Sequence, residues 1–325
     1  MKRRRGAAAV LVSAALVAGP VGCGGDDGGG PTGPVLPDDL PPWGGLRTLN
    51  HAVTVDGRTR TAVIHLPAGY VHDASLRLPL LLAFHGSGGS ALQMREQTGF
   101  DLIAEDAGFI VAYLDADGFW VTPCEGCDND GRAPDEDIRF ARDLVWSLAE
   151  SYAVDPYDVT ATGFSMGGFF LHYLGCHPDS PVRGIAPVAA NARETLPADC
   201  PLRSGRAPVD VLITNGLVDL VVPPEGTETT LSIDEGAEFW RDWSRCSAVT
   251  VEEAEPAEPV GNAPRILRTT WRDCGAGTRV AVQKVERAGH LWLRESTNAA
   301  GVDYGRTIAR FFGLGLPTTM AAARP

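Results

Sequence analysis

The stretch "TGFSMGGFF" sets Ser165 between Gly163 and Gly167, directly after the strand-like run "YDVTA". A G-x-S-x-G pattern where a strand turns into a helix forces the chain to reverse within a few residues. The serine must take a strained backbone there, and the two glycines remove side chains that would collide with the turn. The Oγ is then held out at the N-terminus of a helix, where the peptide dipole favours a developing oxyanion. The chemistry such a residue performs is nucleophilic attack on a carbonyl.

A serine nucleophile needs a base, and the base needs an orienting acid. In elbow proteins these follow in the order serine, acid, histidine. Only His290, in "ERAGHLWL", lies beyond the later strands; His172 and His177 fall in or just after the elbow helix, and His51, His65 and His72 precede it. Asp219, in "NGLVDLVV", follows a buried strand at its C-terminal end. Asp210 opens that strand at the wrong end of the sheet, and Asp234 reads as a helix cap. The glycine-rich "FHGSGGS" after another buried strand can bring a backbone amide to the substrate. Its Ser87 N–H and the Met166 N–H are the expected oxyanion donors, with His85 orienting the loop. Trp292, two residues past the base, is expected to line a substrate pocket.

Metal chemistry fits poorly. "CEGC" lacks the second ligand pair a zinc site needs. In "CDNDGRAPDED", placing Gly131 at the sixth position of a calcium loop aligns Asp128 and Asp130. Gly126 then occupies the first-ligand position, and Asp137 replaces the final glutamate. A solvated loop followed by acids in a first helical turn accounts for that run better. No metal and no cofactor is expected.

Positioning these residues requires alternating elements. "LNHAVTVDGRTRTAVIHLP" reads as a hairpin around Asp56-Gly57. "LPLLLAF", "FIVAYL", "YDVTATG", "RGIAPVA", "APVDVLITNG", "RILRTTW" and "RVAVQKV" read as strands. Helices are expected at "LQMREQTGFDLIAEDAG", "DEDIRFARDLVWSLAES", after Ser165, at "SIDEGAEFWRDWSRC" and at "DYGRTIARFFGL". The pattern predicts an α/β fold: one domain with a mainly parallel sheet, helices on both faces and an N-terminal antiparallel hairpin. The domain is expected over residues 43–316, after a signal segment (1–22) and a Gly/Pro/Asp-rich tether (23–42), with a disordered tail at 317–325.

The 325-residue chain carries a net charge of −13. Four of its 28 basic residues and none of its 41 acidic ones lie in the first 22, so a chain trimmed there carries −17. Such a protein repels nucleic acid and anionic lipid. "MKRRR" followed by an apolar stretch and "PVGC" reads as an export signal of lipoprotein type, acylated at Cys23, so the membrane is engaged only through that anchor. The six remaining cysteines form an even set, as expected of disulfides in an exported protein. Closeness in sequence suggests Cys124–Cys127 and Cys176–Cys200. A monomer is expected.

Together, "FHGSGGS", "DPYDVTATGFSMGG", "NGLVDLVVP" and "AGHLWL" resemble the secreted esterases grouped as polyhydroxybutyrate depolymerase-like and feruloyl or acetylxylan esterases. The likeness runs from "RTAVIHLPAGY" to "FFGL". It implies an α/β-hydrolase fold, Ser165 as nucleophile, Asp219 as acid, His290 as base and a Cys246–Cys274 bridge. Ala288 and Leu293 stand where that family usually has Gly and Pro around the histidine, which bears on substrate preference. No appended polyester-binding domain is expected, which favours acyl esters of plant polysaccharide, with polyester oligomers as the alternative. A serine peptidase of the same fold would cleave amides instead, and a non-catalytic surface lipoprotein would lack a member of the Ser-Asp-His set.

Overall fold

A computed structural model describes residues 47–70, 77–122, 129–200, 206–247, 250–255, 265–298 and 301–315. Cys23, Cys124, Cys127, His72, the signal and tether segments, the tail and both ends of the expected domain lie outside these residues. The hairpin forms as the sequence predicts: β1 (Arg47–Val55) pairs antiparallel with β2 (Arg58–Leu66). Asp56 and Gly57 between them both take positive φ, 50° and 79°, as a two-residue turn matched to strand twist requires. Beyond it come β3 (Leu78–Phe84), α1 (Ala91–Thr98), α2 (Phe100–Ala107) and β4 (Ile110–Leu114). Next are α3 (Glu136–Ser151), β5 (Val154–Phe164), α4 (Met166–Cys176), β6 (Gly184–Val188), the short α5 (Leu196–Asp199) and β7 (Asp210–Gly216). The chain continues through α6 (Ile233–Trp243), β8 (Thr250–Glu255), β9 (Ile266–Trp271), β10 (Val280–Val285) and α7 (Tyr304–Phe312).

The ten strands make one sheet in the order β1-β2-β4-β3-β5-β6-β7-β10-β9-β8. β4 through β10 run parallel in the middle, and antiparallel pairs close both edges. Side chains of a central strand alternate between two apolar layers, which is why these strands read as unbroken hydrophobic runs. In β3, Leu80, Leu82 and Phe84 enter the layer under α3, α4 and α6. Leu81 and Ala83 enter the one under α1, α2 and α7.

Two local readings need correction. The single helix expected at "LQMREQTGFDLIAEDAG" is two, because Gly99 takes φ +66° and caps α1. A side chain at Gly99 would also strike the Arg294 guanidinium. The cap of α6 is Ser232, whose hydroxyl and Glu235 form a capping box, while Asp234 sits in the first turn and pairs with Lys284. The acids expected in the first turn of α3 are there, as Glu136 and Asp137, and both are buried. Asp137 is fully buried, 2.6 Å from Arg60, and accepts the Val121 amide at 2.6 Å. Its charge is thus paired and hydrogen-bonded, the condition for tolerating a buried carboxylate.

Among the described residues two disulfides are present, Cys176–Cys200 and Cys246–Cys274. His172 on α4 is wholly buried; Trp240 Nε1–H donates to its Nδ1 at 3.0 Å, and its Nε2–H faces the Ala190 carbonyl at 3.3 Å. That burial lowers its pKa to about 4 from 6.5. The unfolded chain therefore binds the proton that the folded chain refuses, and the stability this neutral histidine contributes, full above pH 6.5, is lost as pH falls towards 4. The shift is worth about 3 kcal/mol. Denaturant midpoints measured from pH 7 to 4 should fall, and fall less in His172→Gln.

Candidate active site

Ser165 stands between β5 and α4 with φ 51° and ψ −118°, the strained conformation expected of an elbow. Its amide donates to the Val188 carbonyl at 2.9 Å, pinning the turn to β6. The flanking glycines are required by close approach. A Cβ on Gly163 would lie 2.5 Å from the Gly167 carbonyl group, and one on Gly167 would fall on the carbonyl oxygens of Phe84 and His85.

The turn after β7 is built to hold a carboxylate. Asp219 is 1% exposed. Its Oδ1 accepts the amides of Val221 and Val222 at 2.8 and 2.9 Å, and its Oδ2 lies 2.8 Å from His290 Nδ1. A carboxylate can only accept, so Nδ1 carries the imidazole proton and Nε2 is left to accept. That Nε2 lies 3.0 Å from Ser165 Oγ. The three residues, 125 positions apart at the extremes, form one hydrogen-bonded chain. The histidine loop is stitched onto the aspartate loop: Leu217 and Val218 amides donate to Val285 and Ala288 carbonyls at 2.9 and 3.0 Å. Gly216 allows the crossing, since a Cβ there would collide with the Ala288 carbonyl.

The loop after β3 approaches the elbow from the other side. A Cβ on Gly86 would lie 3.4 Å from that of Ser165. His85 is buried, with Nε2 accepting the Ala116 amide at 3.1 Å and Nδ1 donating to the Gly86 carbonyl at 2.7 Å. Its ring holds the loop in shape and has no free nitrogen for a proton from Ser165. Ser87 is exposed on this loop and Met166 opens α4; the first amides of a helix lack intrahelical acceptors.

Trp292 does not stand where a pocket-lining residue would. It is 6% exposed and packs edge-on against Phe100 and Tyr304, at ring separations of 5.8 and 6.0 Å. It braces the histidine loop from inside, because an indole at that position meets the helices α2 and α7 rather than solvent. Ala288 and Leu293 are buried beside it. Asp210 lies at the opposite end of β7 from Asp219 and accepts the Arg279 amide.

Sequence reasoning missed two supports. Asn215 donates to Asn191 at 2.7 Å, and Asn191 donates to the Pro223 carbonyl at 2.8 Å, tying both ends of the aspartate loop to the sheet. A polar residue at the end of the apolar run "DVLITN" was the available signal, since a buried amide needs partners. Tyr304 is the other; burial, and then the nearby Asp219 carboxylate, push its phenol well above the usual range.

The sheet order, the elbow and the loops after β3, β7 and β10 define an α/β-hydrolase. No protein-family model matches the chain. It is 33% identical over 316 residues to NocK, named as an esterase, of Nocardia uniformis subsp. tsuyamanensis, covering 89% of both chains. Feruloyl esterase B of Piromyces equi is 26% identical over 243 residues, which are 71% of this chain and 42% of that one. The acetyl xylan esterase of Aspergillus awamori superposes with a TM-score of 0.57 at 14% identity, covering 82% of this chain and 99% of that one. The chain belongs to the esterase family of NocK, and the feruloyl esterase is a more distant relative.

Proposed function

We propose that the protein is an exported serine esterase that cleaves feruloyl esters of plant polysaccharide through an acyl-enzyme on Ser165. The observation that carries the mechanism is the unbroken hydrogen-bonded chain from Ser165 Oγ through His290 to the buried Asp219. His290 Nε2 takes the Oγ proton as Oγ adds to the ester carbonyl. The tetrahedral oxyanion is received by the Met166 and Ser87 amides. Collapse breaks the bond to the alcohol, which leaves with the proton from Nε2. Water then repeats the sequence on the acyl-enzyme, releasing the acid and restoring Ser165. Asp219 keeps the ring in the one tautomer that can do this and stabilises the imidazolium formed.

The substrate reading rests on what surrounds Asp219 and His290. Val218, Leu220, Val221 and Leu291 are four of the eight large hydrophobic side chains left exposed among the described residues, and Leu220 is 92% exposed. Phe164 adds a ring 5.0 Å from that of His290. An acetyl group needs no such rim, whereas an aromatic acid gains by covering it. Covering two such side chains is worth about 1 kcal/mol each. Replacing Leu220 and Leu291 together by Ser should lower kcat/KM for methyl ferulate by roughly tenfold or more and that for an aryl acetate much less. A panel adding acetylated xylan and hydroxybutyrate oligomers tests the assignment, and a preference for the oligomers over methyl ferulate would overturn it.

Export and acylation at Cys23 form part of the same reading. Two disulfides among the described residues support an oxidising compartment, and no helix of those residues is long and apolar enough to cross a membrane.

A further inference from the structure

The loop that leaves β6 carries a charge the Ser165 chain of hydrogen bonds does not use. Strand β6 runs parallel to β5 and β7, so its C-terminal end opens on the same edge of the sheet as Ser165 and Asp219. Ala189, just past it, takes φ 51°, a strained value for alanine, with its amide on the Thr214 carbonyl at 2.8 Å. The chain then lies against the elbow helix, where a Cβ on Gly168 would stand 2.6 Å from that of Ala190. Further on it pairs with the segment beyond Asp219. The Leu231 amide donates to the Ala192 carbonyl at 2.9 Å, the Glu194 amide to that of Thr229 at 3.2 Å, and Arg193 forms a β-bridge with Thr230. The Arg193 backbone is thus fixed between the elbow helix and the aspartate loop.

Its half-buried side chain turns towards α4, with the guanidinium carbon 5.6 Å from the centre of the Phe169 ring. Phe169 follows Ser165 by one helical turn, about 6 Å along the axis. The Arg193 Nε is buried and finds no acceptor among the described residues. Other partly buried arginines, such as Arg95, Arg139 and Arg183, each hold a carboxylate. Arg193 makes no such ion pair among the described residues: Glu194 beside it is exposed, and Asp199 on α5 keeps a buried Oδ2 without a hydrogen-bond partner. A guanidinium does not give up its proton, so the charge is permanent and its donors are spare. Its fork matches a carboxylate two oxygens at a time.

The flank on which it stands decides what it meets. Ala288, Trp292 and Leu293 of the histidine loop belong to the layer under α7, and Phe164 packs on that layer. Ala192 and Leu196, either side of Arg193, belong to the layer under α4 and α6. With an aromatic acid lying over Phe164 and Leu291, the alcohol half of the ester falls on the Arg193 side. We propose that Arg193 selects esters whose alcohol is an acidic saccharide. Its guanidinium takes the carboxylate of a uronic acid, while the apolar face of the sugar ring lies against Phe169. The inference rests on the ferulate reading above and names the alcohol which that reading leaves open.

Two synthetic esters test it, methyl 2-O-feruloyl-galactosiduronate and methyl 2-O-feruloyl-galactoside, which differ only in a carboxylate for a hydroxymethyl group at C6. At low ionic strength the wild type should hydrolyse the acidic ester with a kcat/KM roughly tenfold or more above the neutral one, as a charge-assisted hydrogen bond allows. The gap should narrow in salt. Arg193→Gln should collapse the ratio of the two esters and Arg193→Lys should restore part of it, a readout that a merely structural role would not move. Equal rates on both esters in the wild type, or a ratio that survives in Arg193→Gln, overturns the proposal, and the wild-type comparison stands whether or not the variant folds. Slow turnover of both feruloyl esters together with methyl ferulate counts against the ferulate reading instead. The 2-O-acetyl esters of the same two sugars then apply the same criterion to Arg193.

Discussion

Ser165→Ala protein is expected to hydrolyse aryl acetates at least ~10⁴-fold more slowly than wild type while melting at the same temperature. The hydroxyl is bonded to His290 and contributes little to packing. Alanine tolerates the φ of 51° about as poorly as serine does, so the backbone strain is unchanged. His290→Ala should cost nearly as much, and the double variant little more than either alone, because each group acts only through the other. Asp219→Asn should lose about 10³-fold: an amide can donate to Nδ1 and hold the wrong tautomer. Additive losses in the Ser165 and His290 pair would contradict a common step. Steady-state rates of purified variants, checked by thermal melts, decide this.

Gly167→Ala is the second large effect, and it acts through packing. The added methyl would fall on the Phe84 and His85 carbonyl oxygens, 2.7 Å from the latter. Both are backbone at the end of β3 and cannot swing aside. Alanine gains up to ~1 kcal/mol over glycine in a helix, but overpacking against rigid backbone costs about 1–3 kcal/mol or more, so destabilisation wins. The elbow and the loop carrying Ser87 should be pushed apart, with turnover down by at least ~100-fold, the loss seen on removing one oxyanion donor. Gly289→Ala is the control. Its methyl would meet nothing nearer than the Val218 carbonyl at 3.7 Å, so stability should be nearly unchanged. Equal tolerance at both positions would contradict the packing account.

The parallel strands and the turn at Ser165 were legible because each carries a local signature. Buried central strands lack a polar face, and the elbow needs glycine at two fixed offsets from the serine. Asp219 and His290 were found by chain order and by their place after strands, which is where the structure sets them beside Ser165. The break at Gly99 was hidden because the apolar periodicity continues across it into α2. Strand β8, "TVEEAE", went unread since its acids mask any alternation; among the described strands it pairs with β9 alone, at the sheet edge. Trp292 was misplaced for a different reason. Adjacency to His290 in sequence says nothing about which side of the loop faces solvent, and that is settled by packing against Tyr304 and against Phe100, far away in the chain.

The most direct test of the central claim is covalent. Diisopropyl fluorophosphate phosphorylates a serine only where a neighbouring base removes its proton and amide donors receive the oxyanion. Intact-mass analysis followed by peptide mapping should show a single adduct, on Ser165, forming in step with loss of esterase activity. The adduct should be lost in Ser165→Ala and strongly slowed in His290→Ala. Activity that persists without an adduct on Ser165, or that is lost as another serine is modified, would contradict the account.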